Sequence, residues 1–176
     1  MTMVIEKVSE KIRAINDFPK KGIVFRDITT ALKDAQTLRQ IVDYLCDCFS
    51  DVKIDYIVGI ESRGFILGTP MAYKLNAGFV PIRKPNKLPA ETYSEEYSLE
   101  YGTDKIEIHT DAIPLGANVL IVDDLLATGG TAQAACKLVK KAGGNLIGAA
   151  FLIELEGLKG REKFDSDLKV VSMLKY

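Results

Sequence analysis

The sequence has few of the residues on which most metal and nucleophile sites depend. It contains one histidine and three cysteines in 176 residues. No second cysteine pair completes a zinc site with Cys46 and Cys48, and the third cysteine is Cys136. Nothing near His109 suggests a serine or cysteine nucleophile that it could orient. These shortages argue against zinc and histidine-dependent nucleophilic chemistry, and an odd number of thiols fits a reducing compartment.

Long apolar runs and a strong charge of one sign are also missing. The longest uncharged runs are about a dozen residues, whereas a membrane-spanning helix needs about 20. The N-terminus has no apolar signal region, so we expect a cytoplasmic protein without a membrane partner. The formal net charge is −1, which does not favour a nucleic-acid partner. Hydrophobic residues make up 47% and charged residues 27%, the balance of one ordinary soluble domain.

The most informative stretch is residues 119–131. Its first four residues are apolar, which indicates a strand buried on both faces of a parallel sheet. Asp123 and Asp124 follow at the predicted C-terminal end of this strand. The sequence after residue 131 favours a helix. Between strand and helix lies a short loop with two glycines and two threonines, which contains Ala127, Thr128, Gly129, Gly130 and Thr131.

This layout predicts a binding site for a phosphorylated sugar. Ligands of open α/β sheets bind beyond the C-terminal ends of the strands, where the start of a helix offers N–H groups and partial positive charge to an anion. Gly129 and Gly130 let the backbone approach a phosphate, while the loop threonines add hydroxyl donors. Asp123 and Asp124 can accept hydrogen bonds from sugar hydroxyls or help to hold a hard cation. A phosphate beside a diol describes a ribose 5-phosphate.

The stretch is neither of two common nucleotide-binding motifs, because it lacks both Gly-Lys-Ser/Thr and Gly-x-Gly-x-x-Gly. Over its thirteen residues it resembles instead the signature of the phosphoribosyltransferases, which bind phosphoribosyl pyrophosphate. The resemblance implies the type I fold of that family. This is an α/β fold with a mostly parallel, twisted central sheet flanked by helices, a small N-terminal hood and a flexible loop.

A second strand–loop–helix pattern occurs earlier in the chain. Residues 55–60 indicate a buried strand and residues 65–74 a helix, with Glu61-Ser62-Arg63-Gly64 between them. Arg63 is a charged donor suited to an anion. The resemblance implies that Glu61, Ser62 and Arg63 hold pyrophosphate, and that the Glu61–Ser62 peptide bond is cis. Glu61 is longer than the residues that often occupy its position in the family.

The N-terminal region carries the prediction for the base. Residues 4–15 have the spacing of an amphipathic helix, and residues 23–30 read as an irregular segment. Asp34 or Thr37 is expected to cap the next helix. The segment 18–28 resembles the adenine-specific members of the family, which implies a hood over the base at about residues 1–34. In that hood, backbone groups around Val24 and Arg26 would bind the edge of adenine and Phe25 would pack on its face.

Residues 83–102 are a long polar stretch that predicts a functional loop or hairpin, and the active-site loop is placed at about 84–102. Lys84 and Lys87 could neutralise pyrophosphate. The segment Ser98-Leu99-Glu100-Tyr101-Gly102 resembles the catalytic segment of the adenine-specific members, and Glu100 falls on their general acid/base. Further strands are expected at residues 78–82, where Pro81 suggests a sheet edge, and at residues 105–109, 146–153 and 168–174.

The resemblance covers most of the chain and implies one domain over residues 1–176. It implies a homodimer that joins adenine to phosphoribosyl pyrophosphate, giving AMP and pyrophosphate, with Mg²⁺ as cofactor. No direct metal ligand is predicted, and Mg²⁺ would be held through the substrate, with Asp123 and Asp124 as candidates for contact. Two alternatives stay open. One is a transferase for a 6-oxopurine, which residues 25–27 and 98–102 disfavour; the other is a non-catalytic sensor of phosphoribosyl pyrophosphate, which would need a basic face or an extra domain.

Overall fold

The computed structural model describes residues 2–98 and 102–176. The chain divides into two compact units, Met1–Tyr44 and Leu45–Tyr176. The prediction of a single domain over residues 1–176 stays a prediction. No helix within the described residues has both the length and the apolar composition needed to cross a membrane.

The first unit contains short elements and one antiparallel hairpin. Its elements are helix α1 (Thr2–Glu10), strand β1 (Arg13–Asn16), strand β2 (Val24–Asp27), helix α2 (Thr29–Leu32) and the start of helix α3 (Ala35–Asp47). Strands β1 and β2 pair antiparallel, with Ile15 opposite Phe25. The carboxylate of Asp34 accepts hydrogen bonds from the backbone N–H of Thr37 at 2.8 Å and from its hydroxyl at 2.7 Å. Asp34 therefore caps α3, as expected.

Two N-terminal predictions are wrong. The helix predicted over residues 4–15 ends at Glu10, and β1 follows it. The segment predicted to be irregular contains β2. Both strands are four residues long and are held by their pairing with each other, which local apolar spacing does not reveal.

The second unit is built on a parallel sheet of five strands in the order β4-β3-β7-β8-β9. These strands are β3 (Tyr56–Ile60), β4 (Gly78–Ile82), β7 (Asn118–Leu126), β8 (Asn145–Glu154) and β9 (Lys169–Lys175). The sheet confirms the predicted fold class. Pro81 lies on the edge strand β4, where its missing N–H costs no ladder hydrogen bond.

Helices α4 (Arg63–Leu75) and α5 (Gly130–Lys141) cover opposite faces of this sheet. Val58 packs in one buried cluster with Leu138 of α5. A Cβ on the neighbouring Gly59 would instead approach Phe79 and the carbonyl oxygen of Gly64 in α4. Successive residues of a strand point to opposite faces, so the two helices sandwich the sheet.

Strands β5 (Thr92–Ser98) and β6 (Thr103–His109) form an antiparallel hairpin, which confirms that the long polar stretch contains one. Ile106 and Ile108 are buried in the same cluster as the α5 side of the sheet. The ring nitrogen Nε2 of His109 accepts a hydrogen bond from the backbone N–H of Ala90 at 3.4 Å, in agreement with a structural role. Glu100, the predicted general acid/base, lies outside the described residues.

Candidate active site

Two polar loops meet at the carboxyl ends of β3 and β7. These strands are parallel neighbours, with Val58 opposite Ile121, so the residues that end them lie side by side. They border a cavity of about 330 Å³, a volume typical of small-molecule sites. Its lining consists of Ile60, Glu61, Ser62, Arg63, Lys84, Tyr97, Asp123, Asp124, Leu125, Ala127 and Thr131.

Four of the five residues predicted to bind pyrophosphate line this cavity, namely Glu61, Ser62, Arg63 and Lys84. The fifth, Lys87, is exposed and does not belong to the lining. Its charge nevertheless reaches the loop at residues 61–63, because it contributes to lowering the pKa of Glu61 after the larger effects of Arg83 and the Lys84 backbone. The Glu61–Ser62 peptide bond is cis, as the resemblance implied.

The long side chain of Glu61 joins the ends of β3 and β4. Its carboxylate accepts hydrogen bonds from Arg83 Nε at 3.2 Å, from Arg83 Nη2 at 3.1 Å and from the backbone N–H of Lys84 at 2.8 Å. Sequence reasoning missed Arg83. The pairing of Ile60 with Ile82 places Glu61 beside Arg83, but this register is known only from the folded sheet.

The paired aspartates lie within β7 rather than beyond it. The strand extends to Leu126 because its last residues still pair with β8. Asp124 is buried and its carboxylate accepts a hydrogen bond from Arg63 Nε. Burial and the adjacent charge of Asp124 raise the pKa of Asp123 well above its usual value. Asp123 therefore resists ionisation beside an Asp124 carboxylate that pairs with Arg63.

The loop after β7 leads into a helix start that is suited to an anion. Helix α5 begins at Gly130, and the capping residue Gly129 has a φ of +78°, which favours glycine. Among the described residues no side chain caps this helix, so the N–H groups of its first turn are available to a ligand. A recess of about 80 Å³ at this point shares Asp123, Ala127 and Thr131 with the larger cavity. Thr128, Gly129 and Gly130 complete the predicted phosphate loop in its wall.

Gly160 packs against the predicted phosphate loop from outside, and sequence reasoning missed this contact. It opens the second of two 3₁₀ helices, Glu156–Leu158 and Gly160–Lys163. A Cβ on Gly160 would lie 2.2 Å from the carbonyl oxygen of Ala127, and one on Gly129 would lie 2.4 Å from the carbonyl oxygen of Gly160. The two backbones are thus in direct contact, and no local pattern in the sequence signals a contact between such distant residues.

The three residues predicted to bind adenine lie on β2 in the first unit. Val24 is 43% exposed, while Phe25 and Arg26 are partly buried. The ring of Phe25 meets that of Phe18 edge to face, with centroids 5.2 Å apart. The predicted hood therefore contains a regular hairpin with an aromatic pair at its loop end.

Comparison with known proteins identifies the family. The profile of the phosphoribosyl transferase domain matches residues 29–175. An adenine phosphoribosyltransferase of Cyanothece sp. is 60% identical over 161 residues, which cover 91% of this chain and 95% of the relative. The chain belongs to the adenine phosphoribosyltransferase family. Solved structures of that family superpose along almost its whole length.

Two of these adenine phosphoribosyltransferase structures illustrate the match. That from Thermoanaerobacter pseudethanolicus has a TM-score of 0.94 and 52% identity, and the match covers 98% of this chain and 99% of that chain. That from Saccharomyces cerevisiae, in complex with adenine and an imino-altritol bisphosphate, has a TM-score of 0.93 and 41% identity. It covers 99% of this chain and 100% of the yeast chain.

Proposed function

We propose that this protein transfers a 5-phosphoribosyl group from phosphoribosyl pyrophosphate to adenine, giving AMP and pyrophosphate in purine salvage. It is thus a pentosyltransferase. One observation carries the proposal. In a chain of the adenine phosphoribosyltransferase family, one cavity is bordered by the aspartate pair, by the uncapped start of α5 and by the loop at residues 61–63 that contains Arg63.

The ribose 5-phosphate end is bound by the β7–α5 loop. Residues 127–131 receive the phosphate through backbone N–H groups and two threonine hydroxyls. Asp123 and Asp124 accept hydrogen bonds from the ribose hydroxyls. Because this binding energy comes from parts of the substrate that do not react, it serves to position the anomeric carbon.

The pyrophosphate end is bound by the loop after β3. The reaction breaks the bond from the anomeric carbon to a pyrophosphate oxygen, so negative charge grows on the leaving group. Arg63 and Lys84 in the cavity wall stabilise this charge, and Glu61 and Ser62 shape the loop around it. Lys87, which is exposed and does not line the cavity, adds its positive charge.

The base is bound by the hood, through backbone groups around Val24 and Arg26 and the ring of Phe25. Glu100 manages the proton of the attacking base, a role typically worth about 10²–10⁴-fold in rate. Both assignments rest on the resemblance of residues 18–28 and 98–102 to the family's segments. Glu100→Gln is expected to keep phosphoribosyl pyrophosphate affinity while turnover falls by about that factor. Turnover equal to wild type would remove Glu100 from the mechanism.

Mg²⁺ is the proposed cofactor, and the residues present fit a cation that arrives with the substrate. Among the described residues no cluster of three or more His, Cys, Asp or Glu side chains could hold a metal alone. Asp123 and Asp124 are the carboxylates that would hold the ion together with substrate oxygens, which is how Mg²⁺ is usually bound. When bound, the ion supplies positive charge to the pyrophosphate.

We also propose a homodimer in the cytoplasm. Ile66 and Tyr73 lie two turns apart on α4 and are 45% and 90% exposed, which leaves an apolar surface for a second copy. The odd number of cysteines, three, fits a reducing compartment. Light scattering on the purified protein would test the dimer, and a monomer at enzyme concentrations would contradict it.

A purine panel tests the function. Purified protein receives phosphoribosyl pyrophosphate and Mg²⁺ with adenine, hypoxanthine, guanine or xanthine, and nucleotide formation is followed. AMP formation with adenine alone is expected. Preference for an oxopurine would contradict the assignment of the hood while leaving that of the cavity intact. Tight binding of phosphoribosyl pyrophosphate without turnover on any purine would instead indicate a non-catalytic sensor.

A further inference from the structure

Lys84 is held at both its backbone and its side chain. Its backbone N–H donates to the Glu61 carboxylate at 2.8 Å, which fixes where the residue enters the cavity wall. Its ammonium contacts the Asp104 carboxylate and donates to the Tyr97 hydroxyl at 3.1 Å. Tyr97 and Asp104 are cross-strand partners in the β5–β6 hairpin, and the Tyr97 hydroxyl also donates to Asp104 at 3.2 Å. The hairpin therefore supplies two acceptors for a cation of the proposed pyrophosphate site.

The contact between Lys84 and Asp104 is an ion pair near neutral pH. Burial by itself would lower the pKa of Lys84, but the hydrogen bonds that Lys84 donates to Asp104 and Tyr97, together with the nearby charge, outweigh it, and the pKa is raised. The hydrogen bond from Lys84 lowers the pKa of Asp104. The two side chains are 39% and 32% exposed, so water and a polyanion can compete for the ammonium.

We propose that Asp104 is an internal counter-ion that occupies Lys84 until pyrophosphate replaces it. The proposal rests on the proposed function, since it needs pyrophosphate in the cavity that Lys84 lines. The ammonium has three N–H donors, and two of them are committed to the hairpin. Pyrophosphate gains its full interaction with Lys84 only when the ion pair between Lys84 and Asp104 breaks. This ion pair forms again when the pyrophosphate product leaves. Asp104 thus acts through Lys84 and is a positioning residue.

Asp104→Asn tests the proposal, because it removes the charge and keeps the size and one acceptor oxygen. We expect pyrophosphate and phosphoribosyl pyrophosphate, each with Mg²⁺, to bind about 2- to 5-fold more tightly, which is the range that an exposed ion pair is worth. The KM for phosphoribosyl pyrophosphate should fall, and kcat should fall with it because pyrophosphate leaves more slowly. A merely structural role for Asp104 would weaken binding instead. Calorimetry and steady-state kinetics measure both effects, and unchanged or weaker binding overturns the proposal.

A matched control is Asp165→Asn. It changes the net charge equally and breaks another exposed ion pair, that of Asp165 with Lys140 at 2.7 Å, at a residue that does not line the cavity. Its pyrophosphate affinity should equal that of wild type. If Asp165→Asn tightens binding as much as Asp104→Asn does, the effect belongs to net charge and the proposal is overturned.

The Lys84→Met background separates exchange of Lys84 from simple repulsion. With no ammonium to release, Asp104→Asn should no longer tighten pyrophosphate binding there. Tightening that persists would show that Asp104 merely repels the anion, which overturns the proposal.

If Asp104→Asn does not fold, Tyr97→Phe provides the test, because it removes one partner of Lys84 and should tighten pyrophosphate binding to a smaller extent. An affinity equal to or weaker than that of wild type counts against the proposal. If the wild-type protein binds no pyrophosphate, the proposed function itself is wrong. If the wild type binds pyrophosphate and Asp104→Asn binds it with the same affinity, only the counter-ion proposal is wrong.

Discussion

Single residues at the cavity are arranged in pairs of opposite charge. Arg63 pairs with Asp124, Arg83 with Glu61, and Lys84 with Asp104. The proposed polyanion site is thus close to neutral before a ligand arrives, which would disfavour a bare pyrophosphate and favour one that carries a cation. The same pairing keeps each charge solvated by protein groups, because a buried or half-buried ion without a partner is costly.

Asp123 is the residue whose ionisation opposes folding most clearly. The pKa of Asp123 is raised in the folded state above its usual value of 3.8. Between the usual pKa and the raised pKa the native protein binds more protons than the unfolded chain, so its stability falls as the pH rises through this range. Asp123→Asn should therefore raise Tm at pH 7 by about 2–4 °C, the shift that about 1 kcal/mol produces in a chain of this length. The gain should shrink below pH 4, where Asp123 is protonated in both states.

The same variant should bind phosphoribosyl pyrophosphate more weakly, because an amide is a poorer acceptor for ribose hydroxyls than a carboxylate. Thermal melts between pH 4 and 8 and ligand titration would measure the two effects. Asp111→Asn, in an exposed turn, makes the same chemical change and should alter neither. A lower Tm for Asp123→Asn at pH 7 would contradict the raised pKa, and unchanged affinity would contradict the ribose assignment.

At the scale of elements, the β1–β2 hairpin carries an ion pair at its open end. Arg13 and Asp27 are opposite each other in the register, and the Asp27 carboxylate also accepts the backbone N–H of Thr29 at 2.9 Å. The hydrogen bond from Arg13 is the largest cause of an Asp27 pKa lowered to about 2. The pair thus joins the first strand of the hood to the start of α2.

Arg13→Gln should destabilise the protein by about 1 kcal/mol at neutral pH, a modest value because Arg13 is 58% exposed. Because the folded-state pKa of Asp27 is depressed, its stabilisation is present above the usual value of 3.8 and is lost as pH falls through about 2. The deficit of the variant should therefore vanish at the acid end of a series of melts. Arg39→Gln, on the exposed surface of α3, is the control. A deficit that stays constant down to pH 2 would show that the ion pair is not its source.

The contact of Gly160 with the phosphate loop allows a second test at this scale. Gly160→Ala must displace the carbonyl of Ala127, since its Cβ would lie 2.2 Å from that oxygen. We expect phosphoribosyl pyrophosphate affinity to fall by about 10- to 100-fold, because small displacements at a positioned site cost that much. Gly157→Ala is the matched control in the preceding 3₁₀ helix, where a Cβ would meet no heavy atom within 4 Å. Equal affinities in the two variants would contradict the supporting role of Gly160.

The whole molecule should respond to its ligand and metal together. Phosphoribosyl pyrophosphate with Mg²⁺ at 100 times its Kd should add about 2.7 kcal/mol to the free energy of unfolding. The corresponding rise in Tm should be much smaller when EDTA removes the metal, because the cavity carboxylates then face an unneutralised polyanion. Mg²⁺ alone should change Tm little, since no cluster of the described residues could hold a metal by itself. Equal shifts with and without EDTA would contradict Mg²⁺ as a partner of the substrate.

The sequence by itself determined the features that are local. Apolar runs predicted β3, β7 and β8, because a strand buried in a parallel sheet needs continuous apolar residues wherever it lies. Two glycines and two threonines before a helix predicted the phosphate loop, because their backbone freedom and hydroxyls act within five consecutive residues. The resemblance to the family added the cis bond at Glu61–Ser62, which the structure contains.

Only the tertiary structure decided which distant residues meet. The β1–β2 pairing, the bonds of Glu61 to Arg83, the counter-ion of Lys84 and the contact of Gly129 with Gly160 join parts of the chain that share no local pattern. Each depends on strand register or on the packing of a loop, and neither quantity is encoded in the period or composition of a short segment. The sequence therefore predicted where the substrate's phosphates bind, while the fold determined how the charged side chains at that place are held.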